Sequence, residues 1–347
     1  MKNKKNFGQT SRISLLTMLR LGLFQMGLSM MSILTLGVLN RVMIQELAIP
    51  ATIAAAILAI PLFVAPTRLW FGQLSDSKLL FGYHRTGYVW VGAAVQAITA
   101  FIAVQAIWQL GNAVQALGGW ALTPQTVAWT GLVALVFVVY GMAVSASSTT
   151  FTALLVDISE EDNRSKLVGI VWSLLMVGVI LGAVISGILL NQLATDKTVE
   201  TLQASVNRLF LIVPAVVFGL AFVATYKIEN KYSQYASRST KVSREDSISI
   251  GHAWKILTAN RQTGRFFTFL VVMTISLFLI DPVMEPYGGQ VFGMPVSEST
   301  KLNAFLGVGT LISLSATGFL LVPRLGKRKT ARLGCFLIAI CAMLVLL

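Results

Sequence analysis

Charge is scarce in this sequence. Asp, Glu, Lys and Arg make up 12% of its 347 residues while 55% are hydrophobic, and that charged share is about half of what a soluble domain carries. Such a chain does not dissolve as a globule. Histidine and cysteine are scarcer still, at two each. His84 and His252 lie in polar stretches, where solvated surface roles are expected, so the apolar runs offer no histidine to a buried metal. Cys335 and Cys341 are six positions apart in one apolar run, hence on different faces of a helix, which argues against a disulfide and against a metal site. Also missing are a phosphate-cradling glycine loop and any Ser/His/Asp or Cys/His constellation. Catalysis is not expected.

What the chain has in quantity is long apolar runs. Nine recur, at residues 21–39, 48–65, 88–108, 129–150, 167–190, 209–226, 266–286, 302–322 and 333–347. A helix crossing a hydrocarbon core of ~30 Å needs about 20 such residues, so the expected fold class is an all-α polytopic membrane protein. The first run is followed by eight more and lacks a small-residue cleavage site, so it reads as a span and not as a removed signal peptide. The last run offers 15 apolar residues and no polar flank or aromatic anchor. The expectation is a polypeptide that continues beyond it, or a truncated form.

The net charge of +13 is not spread evenly. Segments 1–20, 66–87, 151–166, 227–265 and 323–332 hold 23 of the 27 Lys and Arg residues; the intervening loops hold Arg41, Lys197, Arg208 and Lys301. Alternating loops of this kind follow the positive-inside pattern and place the N-terminus in the cytoplasm. The basic loops point to an anionic bilayer surface as partner, and not to nucleic acid.

One polar stretch is long enough to be a linker, residues 227–262, and it follows the sixth run. It divides the chain into an N-terminal six-helix bundle (1–226), a basic cytoplasmic linker (227–262) and a partial C-terminal bundle of three helices (263–347). Six helices, a long basic loop and a second bundle is the layout of the major facilitator fold, a two-bundle architecture of twelve spans with its halves related by an axis along the membrane normal. About nine of the twelve are present here. The loop after the second run, Gly72-Gln73-Leu74-Ser75-Asp76 with Arg68 before it and Arg85 after it, resembles the first half of the facilitator loop motif. The loop after the eighth run, Arg324-Leu325-Gly326-Lys327-Arg328, resembles its second half. Each departs from the pattern: an insertion separates Asp76 from Arg85, and Pro323 stands at the aspartate position of the second copy. In facilitators such a loop ties the second and third spans to the fourth through charges. Asp157 is therefore expected to accept a hydrogen bond from Arg68 or Arg85, worth only ~0–1 kcal/mol at a wetted interface.

Four longer segments are idiosyncratic: residues 39–47, LNRVMIQEL; residues 66–76, PTRLWFGQLSD; residues 153–157, ALLVD, leading through Arg164 into residues 169–172, GIVW; and residues 281–294, DPVMEPYGGQVFGM. In order and topological position they resemble the PucC/LhaA family of light-harvesting complex assembly proteins, a branch of the facilitator fold. What that resemblance implies is an accessory membrane protein for assembling chlorophyll-binding complexes, either delivering chlorophyll or bacteriochlorophyll or escorting nascent subunits. Its partners would be light-harvesting or photosystem subunits, in a thylakoid or intracytoplasmic (inner) photosynthetic membrane. Fold alone does not fix function, so two alternatives stay open: a secondary transporter of a small solute, and a non-transporting structural scaffold.

The polar residues near the spans are few. Asn40, Arg41 and Glu46 close the first span on the non-cytoplasmic side, and Asp281, Glu285 and Tyr287 close the seventh. Symmetry in a facilitator fold sets the first and seventh spans face to face, so an outer latch of Arg41 with Asp281 or Glu285, supported by Asn40 and Tyr287, is one reading; snorkelling of Arg41 to headgroups is the other. Pro286 places Glu285 at the expected helix end, with Gly288 and Gly289 allowing a sharp turn. Ser145, Ser147, Ser148, Thr149 and Thr150, and the pair Gly178 and Gly182, read as packing features before they read as a substrate site. Gln25, Gln96 and Gln105 are candidates for lining a cavity or for bonding within the bundle.

Overall fold

The computed structural model describes residues 13–191, 199–232, 260–292 and 307–345. Among the described residues, helical segments stand at each of the nine apolar runs. The first, α1 (Leu15–Ser32), continues through two π-helical stretches, Ile33–Leu39 and Val42–Glu46. The second run forms α2 (Ala51–Val64) and α3 (Thr67–Ser77), with Ala65 and Pro66 between them. Then come α4 (Thr86–Ala116), α5 (Pro124–Ile158), α6 (Glu161–Asn191), α7 (Val199–Thr225) and a short α8 (Ile228–Tyr232). Finally α9 spans Arg261–Phe292, α10 Gly307–Leu325 and α11 Lys327–Val345. Among the described residues seven helices are long and apolar enough to cross a membrane. The chain is an all-helical integral membrane protein.

The described residues form two compact units, residues 13–232 with 311–345, and residues 260–310. In the first, α4 packs on α5 and α7, α1 on α6 and α7, and α2 and α3 on α5. Small residues set these approaches. A Cβ on Gly92 would come within 2.8 Å of the Ala143 carbonyl and the Ser147 N–H, and a Cβ on Gly178 would collide with the Met26 carbonyl and Ser29 Oγ. Ser29 Oγ in turn donates to Leu175 O at 2.7 Å. In a bilayer no hydrophobic force pulls helices together, so close backbone approach and such bonds hold them.

Within the first unit Gly318 of α10 stacks on Gly169 of α6, where a Cβ on either would lie 2.8 Å from the other's Cα, and Ser315 Oγ lies 2.9 Å from Ser173 Oγ. One finding differs from expectation: in α9 the helix does not stop at Glu285 but runs through Pro286, Gly288 and Gly289 to Phe292. A proline removes one N–H bond, and membrane helices tolerate that loss where neighbouring groups satisfy the freed carbonyl.

Buried side chains fall into two clusters. One, around Trp108, Phe137, Phe210 and Met31, fills the half of the bundle toward the end of α1. The other, around Leu21, Phe24, Phe151, Leu167 and Ile170, fills the half toward its start. This second half carries the charges.

Candidate functional site

The densest polar constellation is built on Arg85, the residue preceding α4. Its side chain is 7% exposed; Nε donates to Asp157 Oδ2 at 3.0 Å, NH2 pairs with Asp76 Oδ1 at 2.5 Å and NH1 donates to Ser75 Oγ at 2.5 Å. The insertion that breaks the loop motif explains this reach. Leu80 and Tyr83 exchange backbone bonds around Phe81 and Gly82, both at positive φ (55° and 80°), the geometry of a two-residue primed turn. That turn folds residues 78–84 back and returns Arg85 to Asp76. Burial lowers the pKa of Arg85, but Asp157 and Asp76 together more than offset this and leave it above its ordinary value. The guanidinium is a fixed cation.

The energy expected from sequence needs correction. With Asp157 at 14% exposure, this is no wetted surface pair, and removing one partner of a buried pair costs about 3–5 kcal/mol. Arg68 is exposed and forms no ion pair among the described residues.

A carboxylate that sequence reasoning missed completes the cluster. Glu229, 8% exposed in α8, accepts the backbone N–H groups of His84 at 2.6 Å, Arg85 at 3.1 Å and Thr86 at 2.7 Å. These are the orphan donors at the start of α4, and an anion there also meets the positive end of the helix dipole. Lys227 at φ 57° separates α7 from α8 and turns Glu229 back toward α4. His84 is therefore not a solvated surface residue: it is half-buried, and its Nδ1 lies 3.3 Å from Ser75 O. Arg20 was likewise unforeseen; it donates to Val223 O at 2.6 Å and Tyr226 O at 2.7 Å, closing the C-terminal end of α7. The signal available in the sequence was a lone acid between Lys227 and Lys231 and a base immediately before the first apolar run.

The other candidates fall as follows. Gly72 faces Thr149, with a notional Cβ 3.9 Å from its methyl. Arg164 Nε donates to Ser159 Oγ at 3.0 Å and NH2 to Ser159 O at 3.3 Å. In the second motif copy Gly326 takes φ 77° and Arg324 and Arg328 form no ion pair among the described residues; Lys327 opens α11. Gln96 donates to Tyr140 OH at 3.3 Å and Gln105 to Asn207 Oδ1 at 3.0 Å, an oxygen also taken by Trp108 Nε1 at 3.2 Å. Gln25 lines a cavity. Cys335 and Cys341 are free and exposed, and no metal-holding cluster exists among the described residues.

At the other end, the π turns after Ser32 set the register of residues 39–47. Val38, Leu39, Val42, Met43 and Leu47 are buried at four- to five-residue intervals, the period of an i→i+5 helix, while Arg41 and Glu46 are exposed and Asn40 is half-buried. Gln115 Nε2 donates to Glu46 O at 3.2 Å, and Ala48 takes φ 52°. The side chains of Asp281, Glu285 and Tyr287 lie outside the described residues, as does His252.

The family described as PUCC protein matches residues 38–347, beginning one residue before this segment. The chain belongs to that family. Among PUCC relatives, Protein PucC of Rhodovulum sulfidophilum is 31% identical over 301 residues, covering 86% of this chain and 63% of its own. The protein named bacteriochlorophyll synthase 44.5 kDa chain of Rhodobacter capsulatus is 29% identical over 312 residues, covering 88% and 64%. The PUCC chain studied thus spans less than two thirds of these relatives' length. Among solved structures it is similar to the proton:xylose symporter XylE bound to 6-bromo-6-deoxy-D-glucose, at 16% identity and a TM-score of 0.48, covering 89% of this chain and 68% of the symporter. That likeness is too distant to carry a substrate.

Proposed function

We propose that this PUCC-family protein is an accessory factor for assembling chlorophyll-binding complexes, acting on light-harvesting or photosystem subunits within a photosynthetic membrane. The observation that carries the reading is the family match over residues 38–347, which includes the segments that bear the resemblance. In this reading the protein is not an enzyme, although one relative's name contains the word synthase: the charged groups placed by the described residues tie helix ends to one another. The positive-inside distribution puts Arg20, Arg85 and Glu229 on the cytoplasmic side. Chlorophyll or bacteriochlorophyll enters as cargo. With histidine absent from the apolar runs, pigment would be held by apolar surface or by the client's own ligands. Arg41 with Asp281 or Glu285 belongs to the same reading as an outer latch.

The test is genetic. In a photosynthetic host deleted for its own copies, expression of this protein should restore the membrane absorbance of assembled antenna. Antenna absorbance unchanged by the deletion, or unrestored by a stably inserted protein, would contradict the assembly role. Small-solute transport remains the second reading of a facilitator-like chain, and it predicts uptake by proteoliposomes without any antenna phenotype.

A further inference from the structure

Apart from the Arg85 cluster, the charged end of the bundle contains a cavity of about 70 Å³ between α1, α5 and α6. Its polar lining is Gln25, Thr152 and Arg164; its apolar lining includes Phe151, Val168 and Trp172. Arg164, Val168 and Trp172 are spaced i, i+4, i+8, so they share one face of α6. Below the guanidinium this face is an open apolar strip, with Val168 38% and Trp172 46% exposed.

Arg164 differs from Arg85 in what holds it. It is half-buried, its two hydrogen bonds go to neutral oxygens of Ser159, and among the described residues it has no carboxylate partner. A planar guanidinium is suited to bidentate capture of phosphate. A cavity of about 70 Å³ has room for a group the size of a phosphate. The open strip below it extends along the helix, in the direction an acyl chain would take.

We infer that Arg164, with Gln25 and Thr152, binds the phosphate of an anionic phospholipid whose acyl chain lies along Val168 and Trp172. This site is independent of the client proposed above, so its failure and the failure of the assembly role are separable.

Trp172 supplies the test. The full chain is reconstituted in vesicles of phosphatidylcholine with a minor fraction of brominated lipid, either brominated phosphatidylglycerol or brominated phosphatidylcholine. The Trp172 share of the quenching is the difference between wild type and Trp172→Phe. Brominated phosphatidylglycerol should be preferred about fivefold, the factor one interfacial cation contributes toward an anionic lipid. Arg164→Gln should abolish the preference and Arg164→Lys should keep part of it, which separates loss of the charge from loss of the fold. Equal quenching by both lipids, or a preference that survives Arg164→Gln, overturns the proposal. So does the absence of quenching by either, which would mean protein covers the strip. Suppression of the preference by millimolar inorganic phosphate overturns the lipid source in favour of a free anion.

Discussion

At the scale of single residues, the fold is held at its charged end by two carboxylates with different tasks. Asp157 neutralises a buried guanidinium, and Glu229 satisfies three backbone donors at the start of α4. Arg85→Ala strands Asp157 and half-frees Asp76, so it should cost about 3–5 kcal/mol, seen as a lower melting temperature in detergent with the size-exclusion profile unchanged at low temperature. Glu229→Gln keeps an acceptor but loses the charge at the helix N-terminus, a loss of about 1–2 kcal/mol. Glu229→Ala leaves the three N–H groups without an acceptor and should cost more than the glutamine variant. If the alanine variant melts with wild type, the cap contributes nothing. Asp76, 51% exposed, should matter least of the three acids.

The contact of Arg85 with Asp157 was partly legible in the sequence: the loop motif supplied Arg68 and Arg85 as candidates for Asp157, and the structure pairs it with Arg85. Glu229 was not legible, since no local pattern links it to a residue 143 positions earlier; only the packing of α7 beside α4 brings them together. His84 misled for the same reason. A histidine in a polar loop reads as solvated until the loop is seen folded under Glu229.

At the scale of elements, runs of apolar residues marked the long helices among the described residues, because length and hydropathy suffice for a span, whereas the short α8 lies in a stretch that reads as linker. What they did not predict was where helices end. α9 passes through Pro286, and α5 begins at Pro124 with a Thr123–Thr126 capping box, several residues before its apolar run. Pairing of helices was partly legible: Gly178 and Gly182 marked a close approach, and α1 is what fills it, with Met30 Cα 3.2 Å from a notional Gly182 Cβ. Gly178→Val forces α1 and α6 apart and should destabilise by about 1–3 kcal/mol, whereas Gly219→Ala, which meets open space, should be neutral within about 0.5 kcal/mol. A Gly178→Val protein as stable as wild type would remove this contact from the account. The latch of Arg41 belongs here too. A double-mutant cycle of Arg41→Ala with Asp281→Asn and with Glu285→Gln should give a coupling of at least about 1 kcal/mol in one of the two cycles; strict additivity in both would leave Arg41 as a headgroup anchor.

At the scale of the whole molecule, membrane residence follows from composition, family membership from residues 38–347, and the assembly role from what that family resemblance implies. A helical membrane bundle fits a transporter as well as a chaperone of membrane subunits, so the decision lies in what the protein holds on to. The direct measurement is purification of the tagged protein from photosynthetic membranes in mild detergent, with the eluate analysed for co-purifying polypeptides and for its absorbance spectrum. The account predicts antenna or photosystem subunits at stoichiometric yield together with chlorophyll or bacteriochlorophyll absorbance. Subunits without pigment would favour a scaffold, and an eluate with neither would contradict the assembly role.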